Sequence, residues 1–288
     1  MSGGIDSTAM YLLTRDAIRD NFHKRALMVY FDTRIGIPLN RFYLEELADQ
    51  YDEQLWTLRT QEQFEERLQE DGAPGAPMHG QVRNELKGRQ ADKLNTLSDD
   101  PVHLIGIRRD ESESRSKFGK VSDKRKCREV YPILNLSKKD CARVILEHDA
   151  PINPFWIWPG LFSDCGCLAN GDPSELDAVA EKFPAIAQRL REYEESIEAD
   201  GLRGELGWNG LTANEQKAKQ QGQEQMTLCG DGCTRRRDPA IVQAFRARID
   251  GATIAEAVEL LEQDRYEAPA KEAIADGGIT EMTDEVDR

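Results

Sequence analysis

Residues 1–10 read MSGGIDSTAM. The adjacent glycines Gly3 and Gly4 stand between Ser2 and the pair Asp6 and Ser7, and apolar residues follow at Ala9, Met10, Leu12, Leu13, Ala17 and Ile18. That spacing predicts a helix beginning directly after the glycines. Glycines let backbone come close to a bulky anion, while hydroxyls and the N–H groups of a helix start donate to it. Asp6 is suited to holding a Mg²⁺ ion that bridges phosphates. The plainer reading is a glycine-rich tail leading into a capped helix. A phosphate loop of this kind normally follows a buried strand. We therefore expect a truncated first strand, with Met1 an internal or misassigned start and further apolar residues upstream.

Moving outward, short apolar runs alternate with helical patterns. RALMVYFDT reads as a buried strand ending near Asp32, PLNRFYLEELADQY as a helix opened by Pro38, and LWTLRT as a second strand. EQFEERLQED reads as helix, GAPGAPMHG as a break, NELKGRQADKLNTL as helix, and VHLIGI as a third strand. Such alternation predicts an α/β fold with a doubly wound, mostly parallel sheet and ligands at the strand C-terminal ends. SKKDCARVILEHD is an amphipathic helix in which Cys141 reads as a small core residue. The texture changes near Trp158. We expect a nucleotide-binding domain over residues 1–160, a cysteine-bearing region over 161–237 and a helical acidic tail over 238–288. Asp238 and Thr253 read as helix caps in that tail.

Composition narrows the function classes. The 288 residues carry 38 Lys and Arg against 53 Asp and Glu, a formal charge of −15. This balance disfavours general coating of nucleic acid. Arginine outnumbers lysine 25 to 13 within the acidic total, which suits a high-salt cytoplasm. No run approaches eighteen apolar residues, so we expect a soluble, cytoplasmic protein that does not engage a membrane.

Two further groups of residues carry chemistry. Residues 106–128, GIRRDESESRSKFGKVSDKRKCR, hold nine Lys or Arg and four Asp or Glu. A solvated basic face is the usual explanation of such a run. Its place directly after a strand instead favours a small polyanion clamped by Arg108, Arg109 and Arg115. The cysteines Cys165, Cys167, Cys229 and Cys233 form two glycine-flanked pairs. Thiolates so arranged suit Zn²⁺ or an iron–sulfur cluster better than isolated buried thiols. His79 carries no specific signal, and Trp156 and Trp158 read as packing between the two halves of the chain.

These motifs carry a resemblance. SGGIDS is similar to the SGGxDS loop of the PP-loop superfamily of ATP pyrophosphatases. GIRRDESESR resembles the GxRxxES…R segment of its phosphoadenylyl-sulfate (PAPS) reductase branch. FDTRIGIP resembles that branch's second-strand turn, with Arg34 where glycine is common. PMHGQVRNELKGRQ resembles archaeal and phage members, and YPILNLSKKDCARVILEHDAPINPFW resembles the stretch before a cysteine segment. The similarity runs in order over roughly residues 1–170, and several agreeing motifs are more specific than any one.

The resemblance implies an adenine nucleotide alpha hydrolase-like fold. It implies that Ser2, Gly3, Gly4, Asp6 and Ser7 hold the phosphates of an adenine nucleotide (PAPS, adenylyl sulfate or ATP), with Asp32 at the nucleotide edge. It also implies that Arg108, Arg109 and Arg115 face sulfate or phosphate, Arg108 and Arg115 acting in catalysis. Cys127 resembles a cysteine of cluster-bearing relatives, the DNA phosphorothioation sulfurtransferases and assimilatory adenylyl-sulfate reductases. It is therefore a candidate nucleophile and a candidate ligand, with Cys165, Cys167, Cys229 and Cys233, of a [4Fe–4S] cluster or Zn²⁺. The ECGLH-type segment that bears the attacking cysteine of the reductases does not occur in this sequence. Two reactions are thus expected to compete: sulfonucleotide reduction, drawing on a thiol reductant, and ATP-driven sulfur transfer from a donor protein to an acceptor such as a nucleic acid. A non-catalytic nucleotide- or metal-binding relative is the alternative from another class.

Overall fold

The computed structural model describes residues 1–22, 27–34, 36–59, 66, 84–97, 99, 101–111, 113–123, 127–158, 173–199 and 238–262. Helix α1 (Ile5–Phe22) starts directly after the two glycines and buries Ala9, Met10, Tyr11 and Leu12. Strand β1 (Met28–Asp32) is followed by α2 (Leu39–Gln50), which Pro38 opens with φ −60°. Strand β2 (Leu55–Arg59) then pairs parallel to β1, with Val29 opposite Trp56 and Tyr30 opposite Thr57. A parallel pair needs a crossover between its strands, and α2 supplies it.

Residues Asn84–Gly88 form a π turn that runs into α3 (Arg89–Leu94). Strand β3 (Val102–Leu104) pairs parallel with β5 (Arg128–Val130), Val102 opposite Arg128 and Leu104 opposite Val130. Between them in sequence lie a 3₁₀ turn at Arg109–Glu111, the short α4 (Glu113–Ser116) and β4 (Val121–Ser122). Strand β4 covers the other edge of β5 in antiparallel fashion. The architecture is mixed α/β with mostly parallel strands, as the alternation of elements predicts. The described strands form two sheets, β1–β2 and β3–β5–β4. Met1 packs against the apolar clusters beside both, and its ammonium donates to the Val29 carbonyl on β1.

Helix α5 (Lys138–Glu147) is held at its start by a capping box. The Ser137 hydroxyl accepts from Asp140 N at 3.1 Å, and the Asp140 carboxylate accepts from Ser137 N at 2.8 Å. This satisfies two N–H groups that a helix start leaves without intrahelical partners. A 3₁₀ turn at Pro154–Trp156 follows, and then α6 (Pro173–Lys182) and α7 (Pro184–Ala199). Helices α8 (Pro239–Ile249) and α9 (Ile254–Glu262) form a hairpin capped by Asp238 and Thr253, as their sequence predicts.

One apolar cluster joins residues from most of these elements. It includes Leu12, Met28, Leu44 and Leu47 together with Val179, Phe183 and Leu190 of α6–α7 and Ile241, Phe245 and Leu261 of the hairpin. The helices after residue 172 thus share a core with the strand-bearing part. Burying such side chains contributes roughly 1.5–3 kcal/mol each. A second, smaller cluster of Ala9, Met10, Ile133 and Cys141 lies on another face of α1, with Leu104 packed against it. Cys165, Cys167, Cys229 and Cys233, the helix expected at EQFEERLQED apart from Glu66, and His79 lie outside the described residues.

Candidate functional site

The glycine loop is the structural start of the site. Gly3 has φ +72°, a conformation open to glycine and strained for other residues. A Cβ added there would lie 2.7 Å from Asn40 Oδ1 and 3.2 Å from Asn153 Nδ2, so space also demands glycine. The Gly3 carbonyl points into the protein and accepts from Asn153 Nδ2 at 2.9 Å and from the Trp156 indole N–H at 3.0 Å. Asn153 Nδ2 also lies 2.6 Å from Asn40 Oδ1, while Asn40 Nδ2 donates to the Ser2 carbonyl at 3.1 Å. Asn40 and Asn153 are buried, so these bonds have little competition from water.

With its carbonyls turned inward, the loop leaves its outer side to donors. Ser7 Oγ donates to the Gly4 carbonyl at 3.0 Å and lies 3.1 Å from Ser2 Oγ. Gly4 N reaches Ser2 Oγ only at 3.4 Å, a long bond that a stronger acceptor can replace. The first turn of α1 leaves N–H groups without intrahelical partners, and these carry the positive end of the helix dipole.

Arg108 joins the loop from the segment after β3. Gly106 brings the two together: a Cβ there would stand 3.0 Å from the Asp6 carbonyl group and 3.1 Å from Ser7 Cα. Arg108 is 6% exposed, and its Nε donates to Asp6 Oδ1 at 2.9 Å. Its other guanidinium face bonds Asp110, and its backbone N–H donates to Glu111 Oε2 at 3.2 Å. Arg115 pairs with the Glu111 carboxylate from one helical turn away. The acidic residues of the ES-rich segment therefore hold its arginines in place.

The remaining candidates are spread more widely. Arg109 is exposed and donates to the Phe118 carbonyl at 3.1 Å. Asp32 ends β1, where its carboxylate accepts from Arg34 N at 2.9 Å and faces Arg59 Nε at 3.3 Å. Arg34, at the position where the resembling turn commonly has glycine, adopts φ +63°. The backbone there is left-handed, a conformation that glycine adopts most readily.

Cys127 is not brought to Arg108 and Arg115. It precedes β5 and lies level with the start of β3, since Arg128 N donates to the Pro101 carbonyl at 3.2 Å. The loop after β3 leaves from the opposite end of the strands. Cys127 is buried, with its Sγ 3.6 Å from His103 Nδ1. Burial holds the His103 imidazole below its ordinary range, against the opposing pull of Glu129 and Asp92. Of the two described cysteines, Cys141 is the one near the loop: it belongs to the cluster under α1, and Asp6 and Arg108 both act on it electrostatically. Burial, with the nearby carboxylates, pushes its thiol up to about 12, so it stays protonated near neutrality.

Four of the five cysteines expected to hold a metal or cluster lie outside the described residues. Among the described residues no group of three or more His, Cys, Asp or Glu side chains is arranged to hold an ion. Cys127 faces His103, and Asp6, the carboxylate expected to carry Mg²⁺, is paired with Arg108.

Asn40, Asn153 and Trp156 have structural roles at the loop that residue patterns did not reveal. Asn153 stood in a recognisable Asn-Pro turn, but nothing local to it pointed across the chain to Gly3. Asn40 lies inside a helix and carried no signal.

A family model for the phosphoadenosine phosphosulfate reductase domain matches residues 1–172. A curated relative, the phosphoadenosine 5'-phosphosulfate reductase of Alkalilimnicola ehrlichii, is 27% identical over 190 residues, covering 64% of this chain and 70% of the relative. Among solved structures, the phosphoadenylyl-sulfate (PAPS) reductase of Candida auris in a phosphate complex aligns with 17% identity and a TM-score of 0.39. That alignment covers 50% of this chain and 70% of the other. Among the described residues no helix is long and apolar enough to cross a membrane.

Proposed function

The chain belongs to the phosphoadenosine phosphosulfate reductase domain family, and from that premise we propose that it binds a sulfonucleotide at the glycine loop and reduces it. The phosphates lie against Ser2, Gly3, Gly4 and Ser7 at the N-terminus of α1, and Arg108 faces the sulfate-bearing phosphate. The observation that carries this reading is the inward anchoring of the Gly3 carbonyl beside a buried Arg108. One chain segment turns its backbone donors outward, and a distant segment brings a cation to the same place.

The chemistry asks for charge stabilisation. A thiolate attacks the sulfonyl sulfur, the bond from sulfur to the bridging phosphate oxygen breaks, and the nucleotide leaves with a new negative charge on that oxygen. A second thiol then attacks the enzyme-bound sulfur atom of the cysteine, releasing sulfite and leaving a disulfide. Helix-start N–H groups and Arg108 lower the cost of charge on the departing phosphate. Arg108 first exchanges one carboxylate partner for the ligand, and Asp110 is the more exposed of the two. We assign the attacking thiol to the Cys165/Cys167 or Cys229/Cys233 pair. Cys127 stands at the other end of β5, and Cys141 is held protonated by burial.

Anaerobic incubation with PAPS or adenylyl sulfate and a thiol reductant tests the reading. Sulfite release, lost in Arg108→Ala and in one of the paired-cysteine variants, is the expected result. Formation of AMP and pyrophosphate from ATP, without sulfite, would assign the chain instead to ATP-driven sulfur transfer. Nucleotide binding with neither product would mark a non-catalytic relative.

A further inference from the structure

The helical hairpin of α8 and α9 lies beyond residues 1–172, the part that the family model matches. It nevertheless reaches the glycine loop through two aromatic rings. Phe245 on α8 is fully buried and packs on Trp156, with ring centroids 5.2 Å apart and planes inclined by 34°. Tyr43 packs edge-on against the same indole, at 5.3 Å and 69°. In contact with both rings, the indole directs its N–H to the Gly3 carbonyl at 3.0 Å. The hairpin is itself fastened to the same turn: Arg246 donates to the Ile157 carbonyl at 2.9 Å. Arg248 pairs with Asp149 at 2.6 Å, and Glu262 of α9 pairs with Arg143 of α5 at 3.0 Å.

The consequence follows from the peptide unit. A trans peptide points its carbonyl and its N–H in opposite directions. Drawing the Gly3 carbonyl inward therefore turns the Gly4 N–H outward, toward the side where phosphate is proposed to sit. We infer that residues 238–262 position the phosphate loop, with Phe245 and Trp156 as the positioning residues and the Gly3–Gly4 peptide as the element they orient. This deepens the proposed function and rests on it for the identity of the ligand, though the coupling of hairpin to loop does not. Neither aromatic ring touches substrate in this assignment. Each acts through the backbone of the loop.

Amide hydrogen exchange on the full chain tests the coupling directly, comparing wild type with Trp156→Phe and Phe245→Leu. Trp156→Phe keeps an aromatic ring but removes the indole donor together with part of the ring volume. Phe245→Leu keeps an apolar side chain and removes the ring contact. Both are expected to raise exchange across residues 2–7 by roughly three- to tenfold, the worth of about one hydrogen bond, with exchange in α5 unchanged. Trp158→Phe, whose ring packs on Phe183 at 6.0 Å, serves as the control and is expected to leave the loop as in wild type.

Titration with adenosine 3',5'-bisphosphate and with adenosine supplies the second readout. The two variants are expected to weaken the bisphosphate by a similar factor and leave adenosine unaffected. Loop exchange that stays at the wild-type rate in both variants would overturn the inference, as would an equal rise throughout the chain. If the loop responds but wild type binds neither compound, the coupling stands and the sulfonucleotide reading falls.

Discussion

Arg108 Nε donates to Asp6 Oδ1 at 2.9 Å, an ion pair between residues 102 positions apart in sequence. It fastens the segment after β3 to the first turn of α1, and the proposed ligand site lies where they meet. The pair also explains how a guanidinium can sit buried there. Asp6 and Asp110 balance its charge from two sides.

Asp6→Asn preserves the shape of the side chain and removes its charge, leaving buried Arg108 with Asp110 as its carboxylate partner. We expect a loss of about 1–3 kcal/mol in urea denaturation. A double-mutant cycle with Arg108→Met should return a coupling energy on the order of 1 kcal/mol or more. Additive losses would mean that the two side chains do not depend on each other.

Gly106→Ala tests the close approach of the two segments. The added carbon would meet backbone atoms of Asp6 and Ser7 at 3.0–3.1 Å, and backbone yields less readily than a side-chain tip. The expected cost is about 1–3 kcal/mol, read as a lower urea midpoint, together with weaker nucleotide binding. An alanine variant as stable as wild type would show that the segments stand further apart.

His103 predicts a pH dependence. Burial lowers its folded value below the ordinary 6.5, so the unfolded chain binds the proton more tightly. Stability is then complete above about pH 6.5 and declines as pH falls toward the folded value. Thermal melts between pH 8 and pH 5 should show wild type losing more stability on acidification than His103→Asn does. Parallel pH profiles for the two proteins would show that the imidazole contributes nothing to the acid sensitivity.

Cys141 should resist chemistry that thiolates perform. Its side chain is fully buried and its thiol is pushed up to about 12. In native protein treated with iodoacetamide at pH 8, peptide mapping should find Cys141 unmodified, and denaturation should expose it to full labelling. Rapid labelling of native Cys141 would make it a candidate nucleophile beneath the loop after all.

Much of the architecture was legible because its signals are local. The period of Ala9, Met10 and Leu12, the Ser137–Asp140 capping box, and the caps at Asp238 and Thr253 each act within a few residues. So do the two glycines, whose conformational freedom marks a loop wherever the chain goes. These determine an α/β chain with a donor-rich turn at the start of α1. What lay beyond local pattern was every contact made at long range. Arg108 was identifiable as a candidate cation, yet its pairing with Asp6 required the strands to bring positions 6 and 108 together. The basic run at 106–128 suggested an open clamp, whereas Arg108 and Arg115 are neutralised by Asp6, Asp110 and Glu111. Cys127 carried the pattern of a functional cysteine, and strand register alone put it at the other end of β5. Trp156 read as packing; it does pack on Tyr43 and Phe245, and it is also a donor to Gly3. Propensity, capping and periodicity are properties of neighbours along the chain, and the sequence by itself determined what they control. Which carbonyl turns inward, and which carboxylate meets which guanidinium, is decided by burial among elements far apart in sequence, and only the tertiary structure settles it.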